Sequence, residues 1–312
     1  MKFSRPILPH VSSLLQKIGG KDSMYRKQPA RFLSLLIAGF ITILITTNCS
    51  ILQYKTEIET RHNITTSTSG RIPAEMSLLN TKKVMVALGF GQSNSANFGE
   101  TKYRPQHESY SYYRGSLYRA EDPLPGADGS RGSVWTRLAD LVIESGMYER
   151  VVFVTIGIGA TSAGCWAEGE CRRYLEETLR DLAAHNIRFT HILWHQGEQD
   201  NLQGTGHAEY AAQMNRLLAV IRGYGQDAPM YVSLASYQPH DMTRSFMSAE
   251  VRLGQSEFIN CNSGVLLGPD TDRLVSQNDR YDGVHFSSQG LDSFALLWLN
   301  AIRLSAEEVT DK

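Results

Sequence analysis

Short apolar runs recur along the chain at Val84–Gly89, Val151–Gly157, His191–His195, Met230–Ala235 and Gly264–Leu267. Each has strand length and ends at glycine or polar residues, the pattern of a buried parallel strand. Between and after them lie longer helix-like stretches at Val134–Ser145, Arg172–His185, Ala208–Tyr224, Met242–Asn260 and Ser288–Leu304. Strand alternating with helix predicts an α/β fold, a parallel sheet covered on both faces through right-handed crossovers. No internal repeat is visible. The span Glu100–Arg131 lacks clear periodicity and holds Tyr103, Tyr110, Tyr112, Tyr113 and Tyr118, so it reads as a long loop after the first strand. Loops of that length in compact domains are usually functional.

One segment departs from this pattern. Phe32–Thr47 is apolar and uncharged, and extension through Leu52 gives just enough length to cross a bilayer. Seven Lys/Arg and one acid, Asp22, precede residue 53. Positive charge in front of the run predicts residues 1–31 as a basic cytoplasmic segment and 32–52 as a signal anchor or transmembrane helix. Residues 53–80 are polar and Thr/Ser-rich and read as a linker. Residues 81–308 are then the folded domain on the non-cytoplasmic side, periplasmic in a bacterium. A retained anchor is favoured over a cleaved signal because no small-x-small site follows, and over a buried core helix because nothing amphipathic flanks the run. Thr46-Thr47-Asn48 is a poor approach to a lipidated Cys49, and Met24 is an alternative start.

Composition adds little to this picture. The 312 residues are 42% hydrophobic and 20% charged, ordinary for one large domain or two small ones. Formal net charge is −1, and with the basic lead-in set aside the body is mildly acidic. No basic stripe argues for nucleic acid. Of four cysteines, Cys49 lies at the membrane edge; Cys165 and Cys171 are close enough to close a small disulfide loop, which an exported compartment permits, and Cys261 is left over. No Cys/His spacing matches a zinc site. His191 and His195 are four apart, but Ile192 follows the first where a helical metalloprotease needs glutamate.

Candidate chemistry concentrates where the predicted strands end. Val84–Asn94 reads V-M-V-A-L-G-F-G-Q-S-N, and Gly89 and Gly91 permit a sharp exit that holds Ser93 at the strand's carboxyl end. Open α/β sheets place their ligands there. Alone, the turn is a strand-to-helix connection with a Ser or Asn cap; with a base and oxyanion donors elsewhere, Ser93 becomes a nucleophile candidate. Gly157-Ile158-Gly159-Ala160-Thr161-Ser162 follows the second strand, and its small residues let backbone N–H groups approach a ligand; a plain glycine turn is the competing reading. Trp194–Asp200 closes the third strand, where Gln196 offers a side-chain N–H. Asp282-Gly283-Val284-His285-Phe286 precedes the last helix. An Asp three residues before a His on a tight turn can accept from Nδ1–H and leave Nε2 as a base, although a loop aspartate capping local amides has the same pattern. Together these blocks hold a nucleophile, a base, its orienter and oxyanion donors, the parts needed for acyl transfer.

The order Gly-Gln-Ser-Asn, Gly-x-Thr-Ser, Trp-x-Gln-Gly-Glu-x-Asp and Asp-Gly-x-His-Phe resembles the sialate O-acetylesterase-like carbohydrate esterases, a branch of the SGNH hydrolases, from about Lys83 to the last helix. The resemblance implies a three-layer α/β/α sandwich with a mostly parallel, flavodoxin-like central sheet. It also implies a serine esterase that removes acetyl groups from sugar hydroxyls without a metal or cofactor. By position, Ser93 matches the nucleophile, His285 the base and Asp282 its orienter. The N–H groups of Ser93 and of the Gly159/Ala160 turn, with the Gln196 side chain, match the oxyanion hole. The family usually has Gly-Gly-Thr in that turn, so Ala160 is strained if its φ must be positive. Gln92, Asn94, Glu198 and Asp200 match site-shaping positions, Asn94 by tying the nucleophile turn to neighbouring loops. The implied partner is an acetylated carbohydrate. Arg104, Arg114 or Arg131 could meet an acidic sugar, and the loop tyrosines either stack on sugar rings or pack on the loop's own underside. An exported O-acetyltransferase with the same triad and a non-catalytic carbohydrate-binding protein are the alternative functions.

Overall fold

A computed structural model describes residues 58–59, 61–239 and 246–310. The expected basic segment and membrane span lie outside the described residues. Among the described residues no helix is long and apolar enough to cross a membrane.

The core is one eight-stranded sheet in the order β1-β4-β3-β5-β2-β6-β7-β8. Its strands are β1 (Pro73–Ala74), β2 (Val84–Gly91), β3 (Ser109–Tyr113), β4 (Ser116–Arg119), β5 (Arg150–Thr155), β6 (His191–His195), β7 (Met230–Leu234) and β8 (Val265–Asp270). From β3 to β8 across the sheet the pairings are parallel; at one edge β4 alone runs against the others, pairing antiparallel with β3 and β1. The sheet is therefore mostly parallel, as the strand–helix alternation predicts. β2 lies at its centre, with Leu88 opposite Val154 on one side and Ile192 on the other.

Alternate residues of β2 feed two apolar layers. Val84, Val86, Leu88 and Phe90 pack with Leu175 and Leu179 of α3 (Glu170–Ala184), Met214 and Leu217 of α5 (His207–Gly223) and Phe258 of α6 (Ala249–Cys261). Met85 and Ala87 face the other layer, with Trp135 and Leu138 of α1 (Val134–Glu144) and Phe294 and Trp298 of α7 (Ser288–Thr310). With both faces covered, every β2 residue is buried, which is why the strand reads as a continuous apolar run. Two short helices complete the set, α2 (Ala163–Ala167) and α4 (Glu198–Gln203).

Two expectations change. The 100–131 span holds the β3–β4 hairpin, which adds to the sheet edge beside β5. Its tyrosines pack inward: Tyr110 and Tyr112 join the core, the Tyr112 hydroxyl donates to Asp181 (2.8 Å), and that of Tyr103 donates to Asp140 (2.7 Å). The 53–80 stretch expected as a linker packs on the domain over its described part, with Ile58 and Ile64 at 1% and 7% exposure inside the first layer. Among the described residues, the helix expected from Met242 runs from Ala249 to Cys261.

Candidate active site

Three of the predicted blocks leave the carboxyl ends of adjacent parallel strands β5, β2 and β6, where strand order reverses about β2 and ligands of open α/β sheets bind. At Gly91 φ is +132°, and a Cβ there would lie 2.0 Å from the His195 carbonyl oxygen. Only glycine lets β2 turn so close to β6. Gln92 then leads into a single 3-10 turn, Ser93–Ser95, braced by Ser95 Oγ donating to the Gln92 carbonyl (2.7 Å) and Trp135 Nε1 donating to that of Ser95 (2.8 Å). Ser93 sits at 6% exposure on this turn, and its N–H finds no acceptor among the described residues.

The Asp282–His285 turn lies against it. Asp282 Oδ2 accepts from His285 Nδ1 at 2.7 Å, while Oδ1 accepts from the backbone N–H groups of Val284 (2.9 Å) and His285 (2.6 Å). Partial burial works to raise the Asp282 pKa, but these donors outweigh it and hold the carboxyl below its ordinary value. An ionised Asp282 on Nδ1–H leaves Nε2 as the basic nitrogen. Asn94 joins the two turns, as expected of it, with Nδ2 donating to the Val284 carbonyl (3.3 Å) and to Glu198 Oε1 (3.0 Å). The His285 ring stacks with Phe98 at 5.2 Å between centroids and contacts Tyr281 at 6.3 Å. Among the described residues His285 makes no hydrogen bond to Ser93 Oγ; free enzymes often tighten this contact only with substrate bound. His195 is not a competing base: burial pushes its pKa down to about 3, and its Nε2 bonds Thr271 Oγ1 at 2.8 Å.

The groups expected as oxyanion donors are not all free to donate. Ala160 has φ +56°, so the alanine occupies the left-handed conformation that favours glycine. The Gly159 N–H is taken by Asp128 Oδ2 (3.0 Å), which leaves the Ala160 N–H as the open amide of the pair. Gln196 is fully buried, and its Nε2 lies near Asp200 Oδ2 (2.5 Å), the Thr161 carbonyl (3.0 Å) and Gln92 Oε1 (3.3 Å). Two N–H bonds shared among three acceptors leave no free donor for a substrate. Gln92 has the complementary situation. Its Oε1 accepts from Gln199 N (3.0 Å), Gly197 N (3.5 Å) and Gln196, and its Nε2 has no acceptor among the described residues.

Glu198 and Asp200 shape the site from beneath. Burial raises both carboxyls above their ordinary values. Glu198 holds Asn94, and Asp200 Oδ2 accepts from Ala163 N at 2.9 Å, fixing the start of α2 behind the glycine turn. Cys165 and Cys171 form a disulfide across the α2–α3 connection, whereas Cys261 is exposed and unpaired. Among the described residues no group of three or more His, Cys, Asp or Glu is placed to hold a metal ion.

With this geometry, the profile of the carbohydrate esterase, sialic acid-specific acetylesterase family matches residues 83–297. The chain belongs to this family of carbohydrate esterases. Among solved structures, a protein from Arabidopsis thaliana is similar at 16% identity, over 70% of this chain and 97% of that one, with a TM-score of 0.54. NanS is similar at 13% identity, over 72% and 98%, with a TM-score of 0.50. These likenesses show a shared fold. No curated protein matches.

Several residues of this candidate site carry no motif in the sequence. Phe98, Asp128, Arg280 and Tyr281 all border the motifs. Arg280 is 4% exposed; its Nε donates to the Leu274 carbonyl (2.7 Å), Nη2 to that of Thr271 (3.3 Å) and Nη1 to that of Val284. Arg280-Tyr281 directly before Asp282 was a usable signal, since a charged and an aromatic residue flank the triad turn. Asp128 carried none, because its link to Gly159 spans 31 positions.

Proposed function

We propose that the domain removes O-acetyl groups from carbohydrate hydroxyls through an acetyl-Ser93 intermediate. The observation that carries this reading is the 2.7 Å His285–Asp282 pair held against the Ser93 turn through Asn94. His285 Nε2 takes the Ser93 hydroxyl proton as Oγ bonds to the acetyl carbonyl carbon, and the carbonyl electron pair moves onto oxygen. The N–H groups of Ser93 and Ala160 and Nε2 of Gln92 stabilise that oxyanion. Gly159 anchors Asp128, and Gln196 braces the turn. Collapse breaks the bond to the sugar oxygen, which receives the proton from His285. A water, deprotonated by His285, then attacks the acetyl-serine; acetate leaves and Ser93 regains its proton. Asp282 stabilises each imidazolium.

The disulfide supports a working site outside the reducing cytoplasm. The apolar Phe32–Thr47 run is the segment that takes the domain there and holds it at the membrane.

The test is acetate release by the full chain from 4-nitrophenyl acetate and from acetylated sugars, beside Ser93→Ala. Loss of about 10⁴-fold or more is expected for the variant. Near wild-type release by Ser93→Ala would overturn the mechanism. Acetyl appearing on an added sugar in place of free acetate would make the protein a transferase, and a folded wild type that cleaves no ester would make it a binding protein.

A further inference from the structure

Beside His285 lies a cleft of about 390 Å³, the size of a small-ligand pocket. Its lining includes Asp282, His285, Tyr281, Phe98 and Arg131, but neither Ser93 nor any proposed oxyanion donor. The acyl group must sit between Ser93 and those donors, and the alcohol must leave past the group that protonates it. A cleft that holds the base without the nucleophile is therefore on the alcohol's side.

One wall of this cleft lies outside the family domain. Arg61, His62 and Asn63 line it, whereas the family match begins at residue 83. This strap is built in. Ile58 and Ile64 anchor it in the core, and Ile64 forms a bridge with Asp128. Thr65 N donates to the Ala127 carbonyl (2.9 Å), Thr65 Oγ1 to that of Gly129 (2.7 Å), and Gly129 N to that of Asn63 (3.3 Å). Arg61 Nη1 and His62 Nε2 both meet Glu170, at 2.5 and 3.1 Å, so the strap is tied to α3 as well. Asn63 has φ +48°, a conformation asparagine tolerates better than most residues. Across the cleft the Arg131 guanidinium lies 5.1 Å from the Tyr281 ring centroid. The result is an open cleft lined by amide, imidazole and guanidinium groups, the Asp128 and Asp282 carboxyls and two aromatic rings, chemistry suited to a hydroxylated ring.

We infer that the Arg61–Asn63 strap forms a subsite for the sugar ring of the leaving alcohol. The inference rests on the esterase reading above. The strap holds the saccharide and so sets which acetylated alcohols are cleaved, while the acetyl group is handled by the Ser93 side.

The experiment compares kcat/KM for glucose pentaacetate and acetylated xylan with that for 4-nitrophenyl acetate, whose alcohol is not a sugar, in the full chain and in His62→Leu/Asn63→Gly. The ratio of sugar ester to 4-nitrophenyl ester is expected to fall at least tenfold, chiefly through KM for the sugar. A ratio unchanged within twofold overturns the inference, as does a wild type that cleaves 4-nitrophenyl acetate through Ser93 but neither sugar ester. Absence of Ser93-dependent release from every ester overturns the esterase reading instead. If the double variant does not fold, Asn63→Gly alone decides, since glycine adopts the left-handed conformation freely and only the side-chain amide is lost.

Discussion

At the scale of the residue, the proposed mechanism has two glutamines exchange the duties their motifs suggest. Gln196 sits where a side-chain oxyanion donor was expected, yet its N–H bonds are spent on Asp200, Thr161 and Gln92. Gln92 is oriented by two backbone N–H groups on its Oε1, which turns its own N–H bonds away from those partners. Replacing Gln92 with Ala is expected to lower kcat by roughly 10²–10³, the usual cost of one oxyanion donor, and to cost about 1–3 kcal/mol of stability because the Gly197 and Gln199 N–H groups lose their acceptor. Gln196→Ala strips a donor from buried Asp200 and an acceptor from the Tyr210 hydroxyl, so it should cost about 1–3 kcal/mol of stability. Measuring kcat and urea unfolding for both variants separates the roles; a kcat loss at Gln196 without destabilisation would return the donor to that residue. The motif shows which residue types are present, but the direction of an amide depends on partners from other strands.

At the scale of the element, the Asp282–His285 turn is held by a cation the motif does not contain. Arg280 reaches three carbonyls and lies over the Phe286 ring at 4.4 Å and the Tyr237 ring at 4.9 Å. Burial pushes its pKa down, opposed by the nearby Glu198 and Asp272, while Asp272 itself is paired with Arg252 at 2.9 Å. Arg280→Leu strips the donor from three carbonyls packed around the turn and is expected to cost about 1–3 kcal/mol, read from denaturant unfolding, with kcat falling as the turn loosens. A change below about 1 kcal/mol would mean that the carbonyl contacts alone do not hold the turn. The strands and helices flanking the site were largely legible, because burial on both faces makes each parallel strand a continuous apolar run. The β3–β4 hairpin was not: Ser109-Tyr110-Ser111-Tyr112-Tyr113 alternates serine with tyrosine, and its tyrosines are apolar only once their hydroxyls find partners such as Asp181.

At the scale of the whole molecule, the fold begins before the catalytic motifs do. Ile58 and Ile64 are core residues, so a chain starting at residue 83 is expected to lose roughly 1.5–3 kcal/mol for each, a large part of a typical domain's stability. Urea unfolding of that variant against the full chain checks this, and equal midpoints would make the strap dispensable to the fold. What the sequence determined by itself was the α/β class, the four motif blocks, their order and the residue types able to carry acyl transfer. Those features are local: apolar periodicity, glycine permissiveness and the three-residue Asp–His spacing act within a few positions of the chain. Tertiary structure alone decided which amides remain open, that Arg280 clamps the triad turn, and that a polar stretch before the motifs walls the cleft. The open amides and the cleft wall depend on partners 31 to 108 positions away, and the Arg280 clamp on carbonyls 4 to 9 positions away that only the folded turn brings together, so no local pattern encodes which carbonyl or carboxylate a side chain will meet.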